Sequence, residues 1–105
     1  MIIPRACANQ AEFGAAVSEV ERQFHPWVIH IRYSFREDSS GEPAVFFKIL
    51  LSDEASRRDG LLDLTNRISD AILWQVEPLE RWGVLPYFNY RSKSEQAVLQ
   101  EPAWV

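Results

Sequence analysis

The stretch WVIHIRYSFR, residues 27–36, alternates large apolar residues with polar or basic ones. Successive side chains of a β-strand point to opposite faces of a sheet, so this period of two predicts a strand with one apolar and one polar face. Val28 breaks the alternation. The polar face carries His30, Arg32 and Arg36, and the fold depends on what the rest of the chain places against each of the two faces.

The composition predicts one globular domain over residues 1–105. The chain is 47% hydrophobic and 25% charged, as is typical of a folded domain. Its net charge of −4 argues against a general nucleic-acid-binding or membrane-surface protein, which usually carries a basic excess. The single cysteine, Cys7, cannot form an intrachain disulfide, and no apolar run reaches the length of about 18 residues that spans a membrane. A cytoplasmic location is therefore expected.

Two helices are predicted from apolar residues that recur at spacings of three and four. The first covers residues 10–24, and it begins with a capping-box pattern formed by Asn9 and Glu12. The second covers residues 54–77. Gly60 predicts a kink or a restart within this second helix, because glycine in a helix interior costs about 1 kcal/mol relative to alanine.

Two further strands are predicted, over residues 44–52 and 84–91. The segment EDSSGEP, residues 37–43, is rich in turn-forming residues, so the first two strands should form an antiparallel hairpin. Proline cannot donate a hydrogen bond to a neighbouring strand, and Pro86 therefore predicts that the third strand lies at an edge of the sheet.

The order α-β-β-α-β predicts an α+β fold in which two helices cover one face of a three-stranded antiparallel sheet. A right-handed crossover that skips one position would place the third strand beside the first and give the strand order 2-1-3. This is a ferredoxin-like, split β-α-β arrangement without its first strand, unless Ile2 and Ile3 supply a short one. Residues 77–83 are expected to be loop, and the tail is expected to hold one helical turn and an apolar anchor at Trp104.

In this arrangement the sheet face opposite the helices has no cover from its own chain. We call it the open face. It combines basic, aromatic, aliphatic and small polar side chains from all three strands, and it is the predicted partner-binding site. Its predicted members are His30, Arg32, Ser34, Arg36, Phe46, Lys48, Leu50, Leu85, Tyr87, Asn89 and Arg91.

Three interpretations of the open face follow from its composition. Arginine stems that lie over apolar neighbours are typical of a solvated sheet face. Exposed phenylalanine, leucine and tyrosine beside arginine are typical of an interface, which predicts a homodimer or docking to a protein partner, regulatory or antitoxin-like by analogy alone. Single-stranded nucleic acid or a phosphate ligand is the alternative, with stacking on Phe46 and Tyr87 beside basic residues. The composition favours the protein-interaction module.

No motif in the sequence predicts an enzyme. His25 and His30 are too few for a zinc site without cysteine ligands, and the acidic loop over residues 37–42 lacks the ligand spacing of an EF-hand. No serine lies in a recognisable nucleophile motif. Catalytic residues, metal ligands and cofactors are therefore not predicted.

Two segments, RYSFREDSSGEPAVFFKILLSDEAS (residues 32–56) and PYFNYRSKSEQ (residues 86–96), resemble a group of short bacterial proteins of uncharacterised activity. The resemblance covers residues 27–96. It implies a bacterial, cytoplasmic accessory protein rather than a stand-alone enzyme, and no functional residue is transferred from it.

Overall fold

A computed structural model describes residues 9–57 and 59–104 of the chain. The proposed short strand at Ile2 and Ile3, and Cys7, lie outside the described residues. None of the described helices combines the length and the hydropathy that a bilayer crossing requires. In chain order the elements are α1 (Gln10–Gln23), β1 (Val28–Glu37), β2 (Pro43–Leu51), α2 (Asp53–Arg57), α3 (Leu61–Gln75), α4 (Pro78–Trp82), β3 (Leu85–Ser92), α5 (Lys93–Leu99) and a 3₁₀ turn (Pro102–Trp104).

Both predicted helices are confirmed, but the predicted capping box is wrong, because the Asn9 side chain makes no capping hydrogen bond. α1 buries Phe13, Val17 and Val20, which belong to the predicted apolar stripe. The second helix does restart at Gly60, so that α2 and α3 are separate helices. Gly60 has a φ of 82°, a left-handed conformation that a residue with a Cβ rarely adopts.

α4 corrects the expectation that residues 77–83 are loop. Pro78 stands at the start of this short helix, where its missing N–H costs nothing, and the indole N–H of Trp82 donates to the carbonyl of Val76 at 2.9 Å. The expected helical turn in the tail is α5, which begins with a capping box between Ser92 and Glu95. Trp104 is an apolar anchor as predicted, with 4% of its surface exposed.

The sheet is mixed, and β2 lies at its centre. β1 pairs antiparallel with β2, and β2 pairs parallel with β3, in the order β1-β2-β3. The predicted antiparallel 2-1-3 order and its split arrangement are wrong, because β3 returns directly beside β2 with no skipped position. The physical reason is that β2 is apolar on both faces, so it buries more apolar surface in the centre than β1 would. Pro86 does lie in an edge strand, as predicted.

Helices α1 and α3 cover one face of the sheet, which we call the core face. Their apolar stripes form a single cluster with the alternating apolar residues of the strands. The cluster includes Phe13, Val17 and Val20 of α1, Leu64, Ile68 and Ile72 of α3, and Val28, Ile31, Val45, Phe47, Ile49 and Leu51 of the sheet. The α+β fold with two helices on one side of a three-stranded sheet therefore stands, although its strand order differs from the prediction.

A β-bulge at the start of β1 explains the break in the sequence alternation. The register shifts between Val28 and His30, and Val28 pairs with Leu51. Val28 is 1% exposed, whereas Ile29, which the alternation assigns to the core, is half-buried and lies outside the core cluster. An extra residue in one strand of an antiparallel pair redirects the side chains beside it. The alternation from Ile31 onward is as predicted.

Candidate functional site

The strand register gathers the predicted site residues on one side of the sheet. Residues that pair directly across neighbouring strands point to the same face. Every predicted member of the open face lies in one of these cross-strand rows, and Ala44, whose small side chain carries no signal in the sequence, completes them. The rows are His30–Leu50–Arg91, Arg32–Lys48–Asn89, Ser34–Phe46–Tyr87 and Arg36–Ala44–Leu85.

One end of the open face carries a stack of side chains, one from each strand: Arg36, Phe46 and Tyr87. The guanidinium carbon of Arg36 lies 3.9 Å from the centroid of the Phe46 ring. The rings of Phe46 and Tyr87 are stacked, with 5.0 Å between centroids and 12° between planes. Because β1 and β3 flank β2, Arg36 and Tyr87 reach the Phe46 ring from the two neighbouring strands. Tyr87 keeps 40% of its surface exposed.

The turn between β1 and β2 holds the outer end of this stack. The Tyr87 hydroxyl donates to Oδ2 of Asp38 at 2.8 Å. Oδ1 of Asp38 accepts from the Ser40 hydroxyl at 2.7 Å and from the backbone N–H groups of Ser40 and Glu42 at 2.9 and 3.0 Å. These donors, with the Ser40 hydroxyl first and the Tyr87 hydroxyl second, stabilise the carboxylate and lower the pKa of Asp38 to about 2. The bond to Asp38 also raises the pKa of Tyr87.

These contacts give the acidic loop a structural role. Asp38 uses its oxygens to hold the turn and Tyr87, so it is part of the support of the open face. Within residues 9–57 and 59–104, no three His, Cys, Asp or Glu side chains form a group that could hold a metal ion.

The opposite end of the open face is covered by the chain's own tail. Arg91 donates to Oε1 of Gln96 at 2.9 Å and to Oε1 of Glu101 at 3.1 Å, and its guanidinium carbon lies 4.4 Å from the ring centroid of Trp104. Leu50, the register neighbour of Arg91, is only 7% exposed. The 3₁₀ turn contacts both β1 and β2. The expectation that the chain leaves this whole face without cover is therefore wrong at this end.

A basic row lies between the two ends. Arg32 and Lys48 are direct partners in the pairing of β1 with β2, although like charges opposite one another destabilise a sheet. The Arg32 side chain is exposed, and the Lys48 side chain is half-buried. His30 lies at the edge of β1, where its Nδ1 is 3.5 Å from the Glu21 carboxylate of α1.

A cleft of about 510 Å³ lies between the end of α1 and the bulge of β1. Sequence patterns do not reveal this cleft, because it depends on the bulge that turns Ile29 out of the core. Its charged groups are already engaged, since Arg22 pairs with Glu19 and Glu21 lies near His30. Its lining residues are Ser18, Glu21, Arg22, His25, Val28 and Ile29.

No family model, curated protein or solved structure matches this chain. The resemblance to short bacterial proteins therefore stays a prediction. The open face, which gathers basic side chains of all three strands and the stacked rings of Phe46 and Tyr87, is the surface from which a function can be inferred.

Proposed function

We propose that this protein is a non-catalytic interaction module that docks through its open face to a protein with an acidic surface. The observation that carries the proposal is the stack of Arg36, Phe46 and Tyr87 beside the basic pair Arg32 and Lys48. Aromatic residues and arginine are enriched at the centres of protein interfaces, where they supply a large contact area with a directional polar group. Tyr87 is positioned for this role because Asp38 holds its hydroxyl.

Charge favours a different protein over a second copy of this chain. The chain carries a net charge of −4, yet the exposed part of the open face carries Arg32, Arg36 and Lys48. A two-fold dimer through this face would place the same surface against itself, and therefore cations against cations. Like-charge contacts at an interface cost free energy, whereas an acidic partner would supply the complementary charge. These charges support docking to an acidic partner over the homodimer.

Single-stranded nucleic acid is the second candidate, because stacked rings beside basic residues are a feature of sites that bind it. Base stacking requires an accessible ring face. The Phe46 ring already contacts the Arg36 guanidinium and the Tyr87 ring, and the Tyr87 hydroxyl is bound to the carboxylate of Asp38, so these rings are engaged within the chain. These contacts favour the protein partner.

Two labelled anionic probes separate the candidates: a glutamate-rich peptide with one phenylalanine, and an oligothymidylate of the same net charge. Each is titrated by fluorescence anisotropy into the wild-type chain, Lys48→Glu and Arg67→Glu. Arg67 is a matched control for the charge change, because it lies on α3 and its side chain is 68% exposed. We expect the peptide to bind the wild type and Arg67→Glu alike, and Lys48→Glu about tenfold more weakly, since an attraction is replaced by a repulsion.

The same titrations contain the results that would count against the proposal. Peptide binding that is unchanged in Lys48→Glu would remove the open face from the interaction. Oligothymidylate that binds more tightly than the peptide, with an affinity that falls steeply as salt rises, would favour the nucleic-acid candidate instead.

A further inference from the structure

The tail that covers one end of the open face shows which chemistry this surface accepts. Glu101 places its carboxylate 3.1 Å from the Arg91 guanidinium. Trp104 follows three residues later, lies against the same guanidinium at 4.4 Å and is 4% exposed. Leu50 lies beside Arg91 in the next strand and is covered as well. An acidic residue and an aromatic ring three positions apart thus fill this end of the face.

The tail, residues 93–104, is anchored by one buried side chain, that of Trp104. α5, which leads into it, contains no buried residue, and Val98 is 82% exposed. Trp104 and Leu50 lie outside the core cluster, on the other side of the sheet from α1 and α3. The start of α5 is held by polar contacts, in which the backbone N–H and the hydroxyl of Ser94 donate to Asp53 at 2.9 and 2.6 Å. A segment that is anchored outside the core through one side chain can open locally without unfolding the domain.

We propose that the end of the open face at Leu50 and Arg91 is a docking subsite for a partner segment in which an acidic residue precedes an aromatic residue by three positions. The chain's own tail occupies this subsite until such a segment displaces it. The proposal rests on the proposed function and deepens it, because it names the chemistry of the partner. When Trp104 leaves, Leu50 and Arg91 become accessible beside Lys48 and Asn89. The accessible part of the open face then runs without a break from the subsite to the stack of Arg36, Phe46 and Tyr87.

Trp104→Ala removes the indole from the subsite in the 105-residue chain. The probe is a labelled peptide with the sequence of residues 99–104, LQEPAW, and its control peptide is LQQPAA, which lacks both the carboxylate and the indole. A tethered segment competes at an effective concentration on the order of millimolar, so we expect Trp104→Ala to bind LQEPAW at least about tenfold more tightly than the wild type does. We expect LQQPAA to bind Trp104→Ala at least about tenfold more weakly than LQEPAW does, because it makes neither contact with Arg91.

Equal affinity of LQEPAW for the wild type and Trp104→Ala, or equal affinity of the two peptides, would overturn the subsite. Native-state hydrogen exchange tests whether Trp104→Ala is folded. We expect the amides of α1 and β2 to stay protected and the amides of α5 to exchange faster than in the wild type. If the glutamate-rich peptide binds in a Lys48-dependent manner but LQEPAW does not bind Trp104→Ala, the subsite alone is wrong. If neither peptide binds any form of the chain, the proposed function is wrong as well.

Discussion

Two neighbouring phenylalanines in β2 test which face of the sheet is covered. Phe47 points to the core face, where it is fully buried, with its ring centroid 5.4 Å from that of Phe88 and 6.2 Å from that of Phe13. Phe46 points to the open face, where it is half-buried and stacks on Tyr87. The same truncation at adjacent positions of one strand therefore compares the two faces directly.

The two truncations should lower the free energy of unfolding by different amounts, because the two rings are buried to different extents. Phe47→Ala removes a fully buried ring and leaves a cavity, which costs about 3–5 kcal/mol. Phe46→Ala removes a ring that already meets water, so the lost burial and stacking together cost about 1–2 kcal/mol. The free energy of unfolding of a domain of this size is about 5–15 kcal/mol. Phe46→Ala should therefore remain well folded, whereas Phe47→Ala should lose a large share of its stability.

Urea unfolding followed by tryptophan fluorescence measures both losses. We expect the free energy of unfolding of Phe47→Ala to be lower than that of Phe46→Ala by at least about 1 kcal/mol, with similar dependence on urea. Leu62→Ala is the control, because Leu62 is 74% exposed on α3 and its truncation should change the free energy by less than about 0.5 kcal/mol. Equal losses for the two phenylalanines would refute the assignment of a core face and an open face.

Three further measurements test the turn, the helix break and the strand order. The pKa of Asp38 is about 2 in the folded chain, below its unfolded value of about 3.9, so this group's stabilisation is present above about pH 4 and lost as the pH falls toward 2. The difference in thermal stability between the wild type and Asp38→Asn should therefore change across this range, and a difference independent of pH would contradict the contacts of Asp38. Gly60→Ala should lower the free energy of unfolding by about 1 kcal/mol, because a φ of 82° strains any residue with a Cβ; an unchanged urea midpoint would argue against this conformation. Amides of β2 should exchange with solvent more slowly than those of β1 and β3, because β2 is paired on both sides; slowest exchange in β1 would instead support the order 2-1-3.

Elements set by local pattern could be predicted closely. α1 and all three strands begin and end within about one residue of their predicted limits, because period and turn-forming residues act over a few positions. The membership of the open face could be predicted for the same reason, since alternation within each strand assigns its side chains to a face whatever the strand order. Arg32 and Lys48 would share a face in either order, provided that β1 and β2 form a hairpin.

Features that depend on neighbours in space could not be predicted in this way. The central place of β2 depends on which strand has the most apolar surface to bury. Phe46 and Leu50, which make the second face of β2 apolar, were the signal for it in the sequence. The bulge at Val28 and the return of Trp104 to Arg91 depend on contacts between distant parts of the chain.

Short-range order in this chain, meaning which residues form a helix or a strand and which side of a strand each side chain occupies, follows from backbone geometry and needs no knowledge of the neighbours. Strand pairing and the cover that the tail places over Leu50 depend on the tertiary structure. The physical reason is that the hydrophobic effect favours the arrangement that removes the most apolar surface of the whole chain from water, and that arrangement brings together segments that are distant in sequence. The same reasoning explains why the members of the open face could be placed together from sequence, while the part of that face left accessible to a partner could not be predicted.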